Sequence, residues 1–288
     1  MRYKKPITLL VILIALLATI ASLTGILSSG GSGSYHYQSI RGETVKIYGK
    51  GLYRHMSAEV APQGIAQDYV TLCLGIPLLI FAIIWARKGS LKGRLLLTGI
   101  VGYFLVTYLF YTVMGMYNLL FMAYVLLMGA SFYAFMLLLF SFDRDEVKLS
   151  FRPANPVRWT GGFLIFISLS IAMLWLSIVI PPLIDGTVIP VQVEHYTTLI
   201  VQGLDLGILL PAGFISGTLF LKKQTIGYLL APVYLVFLSL LMTALTAKVI
   251  AMYTLGYNVI PVILIIPSFN LFTLVAAYNI LKAIKHEP

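Results

Sequence analysis

The chain has 288 residues, of which 59% are hydrophobic and only 10% are charged, and its net charge is +10. Soluble domains are about 45–50% apolar and about 25% charged, and even a large one buries only about three quarters of the surface of its unfolded chain. The composition therefore excludes a soluble or disordered protein, and the single cysteine excludes a disulfide-stapled scaffold. It is the composition of an integral membrane protein.

Eight apolar stretches are long enough to cross a bilayer as helices. A helical span needs about 20 mainly apolar residues to cross a hydrocarbon core of about 30 Å, and none of the eight shows the polar alternation of a barrel strand. We therefore expect an all-α membrane protein, with an eight-transmembrane-helix bundle that forms a single polytopic domain over residues 1–288. The predicted spans are 7–26, 69–86, 95–115, 119–140, 161–180, 198–221, 226–247 and 259–280.

The first stretch has two interpretations. Arg2, Lys4 and Lys5 precede it, as basic residues precede the apolar part of a secretory signal peptide. The apolar part of a signal peptide is usually about 7–15 residues, whereas residues 7–26 are long enough to span the bilayer. We expect an anchor that is not cleaved.

The Lys and Arg residues at the ends of the spans predict the orientation. With the N-terminus in the cytoplasm, fifteen of the twenty basic residues fall on cytoplasmic segments, as the positive-inside rule requires. Both termini are therefore expected in the cytoplasm, with anionic lipids as partners of the basic residues at that face. No soluble domain carries a basic cluster, so nucleic acid is not an expected partner.

Two segments outside the spans are long. Residues 28–68 form an extracytoplasmic loop or cap that opens with a flexible Gly/Ser linker. Within this cap, Val45 and Ile47 alternate with Lys46, which predicts a small hairpin, and a short interfacial helix is expected from Ser57. Residues 141–160 form the cytoplasmic loop.

A weak internal repeat is visible at a shift of 134 residues. The shift superposes Pro77 on Pro211 and Gly93 on Gly227, with a basic turn before each glycine. This pattern is compatible with a 4+4 parallel internal repeat, in which two four-helix halves are related by an axis along the membrane normal. Chance matching among Leu-rich helices is the alternative.

Motifs of soluble enzymes are missing from the sequence. It contains no HExxH, GxSxG, P-loop or GxGxxG pattern and no zinc-ligand spacing. None of the four histidines falls inside a predicted span, so there is no candidate for buried haem ligation. We expect no metal and no cofactor, and an enzyme is not the leading hypothesis.

Asp205 is the main candidate for a functional residue. An ionisable side chain near the middle of a spanning helix costs roughly 2.5–3.5 kcal/mol, so its presence indicates a site. Thr198, Gln202 and Asp205 follow one another at spacings of four and three residues and therefore share one helical face. Interhelical hydrogen bonding is the competing interpretation of this stripe.

Other polar candidates fall in the half of the spans expected to face outside. Lys248 either extends its ammonium to the interface or pairs with Asp205 or Glu194, since buried charges need partners. The asymmetry between the two halves predicts a binding pocket open to the outside. Its candidate ligand-binding residues are Asp205, Gln202, Thr198, Glu194, Lys248, Asn118, Asp68, Tyr108 and Tyr111.

The runs GRLLLTGIVGYFLVTYLFYTVMGMYNLLFMAY (93–124) and QGLDLGILLPAGFISGTLFLKKQTIGYLLA (202–231) resemble segments of prokaryotic multi-pass membrane proteins. The resemblance implies a multi-pass protein of a prokaryotic plasma membrane and carries no activity.

Three hypotheses about function remain open at the level of the sequence. The leading one is that the protein binds or transports a small or lipid-like ligand through the outward-facing polar pocket. The second is a non-catalytic membrane assembly subunit with a membrane protein as its partner. The third is a lipid-modifying membrane enzyme with Asp205 or Glu194 as its acid or base.

Overall fold

A computed structural model describes residues 2–152 and 157–285. Within these residues, eight helices are long and apolar enough to cross a membrane. The prediction of a helical multi-pass membrane protein is confirmed.

The first half of the chain contains four of these helices and a β-hairpin. The second span is one continuous helix with a π-helical turn, Thr71–Gly75, in its middle. The elements are α1 (Lys4–Leu27), β1 (Tyr35–Gln38), β2 (Thr44–Ile47), α2 (Val60–Val70), α3 (Ile76–Arg87), α4 (Leu91–Val113) and α5 (Phe121–Phe140).

The second half begins with a short helix that lies outside the spans and continues with the other four spans. The second of these four spans contains a second π-helical turn, Asp205–Leu209, and a 3-10 turn, Val191–Val193, precedes that span. The elements are α6 (Arg144–Leu149), α7 (Val157–Asp185), α8 (Ile200–Leu204), α9 (Leu210–Leu221), α10 (Thr225–Thr254) and α11 (Val262–Lys282).

Local sequence explains where several of these elements begin. Ser90 caps α4 by accepting a hydrogen bond from the backbone N–H of Gly93 at 3.2 Å. Each π-helical turn is followed by a proline, Pro77 or Pro211, at the second position of the next α-helix. Because proline donates no backbone hydrogen bond and its ring crowds the preceding turn, a widened turn at this point is expected.

Helices α4 and α10 form the centre of the bundle. In their most apolar windows 61% and 72% of the residues are buried, against 17–33% in the other six spans. The two helices cross closely at Gly99, where an added methyl carbon would lie 2.5 Å from Cβ of Val236. Around them, α3 and α5 pack on α4, α9 and α11 pack on α10, α1 packs on α5, and α7 packs on α9.

The two ends of the bundle carry different structures. One end holds the antiparallel hairpin, in which Tyr37 lies opposite Val45, and we call it the hairpin end. Val45 and Ile47 are buried and the residues between and beside them are exposed, so the hairpin predicted from this alternation is present. The opposite end, from which α1 starts and at which α11 finishes, is the terminal end.

The second span is longer than the sequence predicts. It begins at Val60, nine residues before the predicted start, so Gln67 and Asp68 lie inside the helix. The helix expected from Ser57 is the beginning of this span and not a separate interfacial element. Gln67 and Asp68 make this part of the span look like a loop in the sequence, because the side chains that hydrogen-bond to them lie elsewhere in the chain.

The loop at 141–160 contains α6 and contacts the C-terminal segment. Phe151 forms an antiparallel bridge with Ile284, and the backbone N–H of Arg152 donates to the carbonyl of Ala283 at 2.9 Å. Positions 153–156 of the predicted loop, like His286, lie outside the described residues.

Candidate functional site

Asp205 is the first residue of the second π-helical turn and is partly exposed. Its Oδ2 accepts a hydrogen bond of 2.8 Å from Nε1 of Trp175 on α7. It also interacts electrostatically with Lys248 on α10. The carboxylate therefore lies where α7, the sixth span and α10 meet, and it has polar partners there.

Lys248 is partly buried and interacts electrostatically with two carboxylates, Asp205 and Asp68. Within the described part of the chain, its ammonium forms no hydrogen bond. The sequence-based alternative of pairing with Asp205 is thus realised as a longer-range interaction, whereas Glu194 does not act on Lys248.

Thr198 and Gln202 line a cavity of about 390 Å³ at the hairpin end of α7 and α8. This volume falls within the about 300–1,000 Å³ typical of small-molecule sites. Most of the wall is apolar, and the polar lining side chains are those of Arg41, Thr197, Thr198 and Gln202. The apolar lining comes from Val179, Leu183, Val188, Ile189, Pro190, Val193, Leu199 and Leu206.

Arg41, in the loop of the hairpin, hydrogen-bonds to the loop segment 194–197, which borders the cavity. Its guanidinium donates hydrogen bonds to the backbone carbonyls of Glu194 (3.3 Å), Tyr196 (2.7 Å) and Thr197 (3.2 Å). Sequence reasoning missed this residue, because its partners are more than 150 residues away. Its position among the few basic residues expected outside was the only available signal.

Glu194 lies in the same loop but does not line the cavity. Its backbone adopts a positive φ of 48°, and its Oε2 is buried and has no hydrogen-bond partner among the described residues. Partial burial and the charge of Glu194 together raise the pKa of Glu59 at the start of α2. Glu194 therefore belongs to the contact between this loop and the cap.

Tyr196 forms the other part of this contact. Its hydroxyl oxygen accepts a hydrogen bond of 3.2 Å from the backbone N–H of Ser57. Burial raises the pKa of Tyr196 to about 12, so the side chain is a neutral phenol that fastens the loop to the cap.

Asp68 lies in a sealed polar cluster away from the cavity, and only 1% of its surface is exposed. The hydroxyls of Tyr53 and Tyr111 donate to its two oxygens at 2.5 Å and 3.1 Å. Tyr111 was a sequence candidate, but Tyr53 was missed because it lies in the cap. We call Tyr53, Gln67, Asp68, Thr71, Tyr103, Thr107 and Tyr111 the Asp68 cluster.

The rest of the Asp68 cluster is equally closed. Nε2 of Gln67 donates to the hydroxyl of Tyr103 at 2.7 Å, and the hydroxyls of Thr71 and Tyr103 are 2.9 Å apart. Tyr108 packs beside the cluster between the rings of Phe104 and Tyr124. Such a network of satisfied bonds between helices is a packing element of the bundle.

Asn118 has a local role in the turn before α5. Its Oδ1 accepts from the backbone N–H of Leu120 at 2.9 Å, and its Nδ2 donates to the carbonyl of Met116 at 3.3 Å. The candidate residues therefore separate into the cavity, the Asp205–Lys248 region beside it, the Asp68 cluster, the loop contact at Glu194 and this turn.

No family model, curated protein or solved structure matches the chain. Among the described residues, no group of three or more His, Cys, Asp and Glu is arranged to hold a metal ion. The class of protein is thus the one that the fold itself defines, a multi-pass helical membrane protein.

Proposed function

We propose that this protein binds and transports a small amphipathic, lipid-like ligand through the cavity at the hairpin end, which faces the outside of a prokaryotic plasma membrane. The observation that carries the proposal is the composition of the cavity wall. Apolar side chains such as Leu183 and Leu206 suit an alkyl chain, and Arg41, Thr198 and Gln202 provide polar groups for a head group.

The polar groups differ in how free they are to bind. The guanidinium of Arg41 is largely occupied by backbone carbonyls. The amide of Gln202 forms no hydrogen bond within the described residues, so both its donor and its acceptor are available to a ligand. Gln202 is therefore the residue that we assign to the polar part of the ligand.

The distribution of basic residues supports the orientation. Arg2, Lys88, Lys222 and Lys282 lie at the terminal end with eleven further Lys and Arg residues, whereas the hairpin end has four. The positive-inside rule puts the richer end in the cytoplasm, where anionic lipids contact it. The cavity then opens toward the outer leaflet.

The register of the helices supports two repeated halves. A shift of 134 residues carries the π-helical turn Thr71–Gly75 onto Asp205–Leu209 and α3 onto α9, with the same bounds. It also carries the start of α4 onto the start of α10. Leu-rich helices match one another easily by chance, but two rare π-helical turns in the same register are not explained by composition.

The contact between the two central helices agrees with an axis that relates these halves. The shift pairs Gly99 with Val233, and an added methyl at Gly99 would lie 2.7 Å from the carbonyl oxygen of Val233. Equivalent residues meet in this way on a two-fold axis. Paired repeats of this kind are common in transporters, which favours transport over simple binding.

Filling the cavity tests the proposal. Gly203 lines the cavity, and Gly207 lies one turn away outside it; a Cβ at either position meets no atom within 4 Å. We expect Gly203→Leu to weaken binding at least tenfold and Gly207→Leu to leave it unchanged. The probe is lysophosphatidylethanolamine with a fluorophore on its chain, titrated against the purified protein in detergent. Equal affinities of the two variants would remove the cavity from consideration.

A further inference from the structure

The two halves of the bundle differ in how tightly they close at the hairpin end. In the first half, α1 packs along α5, and Gln67 and Asp68 are 3% and 1% exposed. In the second half, α7 and α11 touch only slightly. The buried residues of α7 end at Ser168, and those of α11 begin only at Thr273. In the half nearer the hairpin end, neither helix therefore has a fully buried residue.

Because α7 and α11 touch only slightly, the space between their halves nearer the hairpin end is not closed by a helix–helix contact, and we call it the α7–α11 cleft. At its deep end the rings of Phe166 and Phe269 are in contact, with their centroids 6.1 Å apart. Its upper part holds the hydrogen bond between Trp175 and Asp205. Nine residues separate Trp175 from Phe166, or about 13 Å of helix, close to the roughly 15 Å of hydrocarbon in one leaflet. The cleft has the depth of one lipid chain.

The upper end of the cleft offers a carboxylate oxygen to a ligand. Trp175 donates to Oδ2 of Asp205, whereas Oδ1 has no hydrogen-bond donor among the described residues and Lys248 acts on this carboxylate only at longer range. A carboxylate at the edge of the hydrocarbon region is stabilised by a cation that hydrogen-bonds to it, which favours a ligand that brings a positive charge. Tyr53 and Tyr111 seal Asp68, so the carboxylate that such a ligand can reach is Asp205.

We propose that the α7–α11 cleft admits a lipid of the leaflet at the hairpin end whose head group carries a primary amine. The amine binds Asp205, and one chain lies along the cleft toward Phe166. This inference rests on the proposed function, because the cavity lies directly beside the cleft: Val179, which lines it, is one helical turn from Trp175. The lipid reaches the cavity sideways from the bilayer.

Tryptophan quenching tests the inference, since the chain has three tryptophans, Trp85, Trp159 and Trp175. The variant Trp85→Phe/Trp159→Phe keeps Trp175 as its only reporter. It is reconstituted in phosphatidylcholine vesicles that contain chain-brominated phosphatidylethanolamine or, at the same fraction, chain-brominated phosphatidylglycerol. We expect at least twice as much quenching by the ethanolamine lipid, and we expect Asp205→Asn in the same background to equalise the two.

A second single-tryptophan protein is the control. Trp85→Phe/Trp175→Phe keeps Trp159, which is 45% exposed near the terminal end of α7. Because anionic lipids are expected at that basic end, phosphatidylglycerol should quench Trp159 at least as strongly as phosphatidylethanolamine does. Equal quenching of Trp175 by the two lipids would overturn the inference. A preference for phosphatidylglycerol would overturn it too, as would a preference for phosphatidylethanolamine that survives Asp205→Asn.

Failure of this inference and failure of the proposed function are distinguishable. Binding of the lysolipid probe is measured in detergent, where no lateral entry is needed. If Gly203→Leu lowers that affinity and Trp175 shows no lipid preference, only the cleft is refuted. If Trp175 prefers phosphatidylethanolamine while Gly203→Leu and Gly207→Leu bind alike, the cleft stands and the cavity does not.

Discussion

Thr71 and Asp205 hold the same position in two similar local structures, 134 residues apart. Each is the first residue of a five-residue π-helical turn that is followed by an α-helix with proline at its second position. In the first structure, the turn presents a hydroxyl to Tyr103 inside a sealed cluster. In the second, it presents a carboxylate to Trp175 beside an open cleft. The same backbone structure, a π-helical turn, thus supports helix packing in one half and presents a charged side chain in the other.

The sealed half has no room for an extra methyl group at Gly25. A Cβ there would overlap the carboxylate of Asp68 and come within 2.9 Å of the Tyr53 hydroxyl. Because overpacking of this kind costs about 1–3 kcal/mol, we expect Gly25→Ala to lower the melting temperature in detergent. Gly129→Ala is the control, since a Cβ at Gly129 meets nothing within 4 Å and alanine favours the helix. Equal melting temperatures of the two variants would show that the Asp68 cluster accommodates the extra methyl group without losing stability.

Arg41 is expected to hold the loop segment 194–197 in place beside the cavity. Arg41→Ala removes three hydrogen bonds from a charged donor to the loop around Tyr196, and such bonds are worth about 1.5–3 kcal/mol in favourable settings. We expect amide hydrogen exchange at 191–198 to become about tenfold faster, which corresponds to roughly 1.4 kcal/mol. Arg54→Ala is the matched control, because among the described residues the Arg54 side chain hydrogen-bonds only to its neighbour His55. Unchanged exchange in Arg41→Ala would mean that the loop holds its shape by itself.

Much of the fold is predictable because membrane spans and hairpins depend on local sequence. Long apolar runs define all eight spans, and the alternation around Lys46 gives the hairpin. The start of the second span is different. Gln67 and Asp68 look like residues of a loop, and only the burial of their side chains against Tyr103 and Tyr53 makes them helical residues of the membrane. Nothing within a short window of sequence shows those partners.

For the candidate site, too, the sequence predicts the local features and misses those that depend on tertiary packing. The spacing of Thr198 and Gln202 identifies two residues of the cavity, because helical periodicity is a local property. Trp175 lies inside an apolar run where a tryptophan normally contacts lipid, and its bond to Asp205 depends on how α7 packs. The separation of Asp68 from Asp205 into closed and open surroundings is a tertiary property, so the sequence places both in one pocket.

The cap should respond to pH through Glu59. Partial burial and the Glu194 carboxylate raise the pKa of Glu59, so the native state binds this proton more tightly than the unfolded chain does. Stability therefore increases as the pH falls through the pKa of Glu59 in the folded protein, and the increase is complete below its pKa in the unfolded chain. We expect Glu59→Gln to melt higher than the wild type at pH 7 and to lose this advantage near pH 4, in thermal melts across that range. Glu43→Gln removes a carboxylate at an exposed residue of the hairpin loop and is the control. An equal gain in melting temperature at pH 7 in that variant, or no gain in Glu59→Gln, would contradict the assignment.

The side of the membrane on which the hairpin lies decides which leaflet can supply a ligand. Cys73 is the one cysteine in the chain, so Cys73→Ala gives a background without thiols. Ser32→Cys then reports on the hairpin end and Lys88→Cys on the terminal end, both at exposed positions. Because the terminal end carries most of the Lys and Arg residues, we expect a membrane-impermeant maleimide to label only Ser32→Cys in intact cells and both variants after permeabilisation. The opposite pattern would place the cavity and the α7–α11 cleft on the cytoplasmic side, where an outer-leaflet lipid cannot reach Asp205.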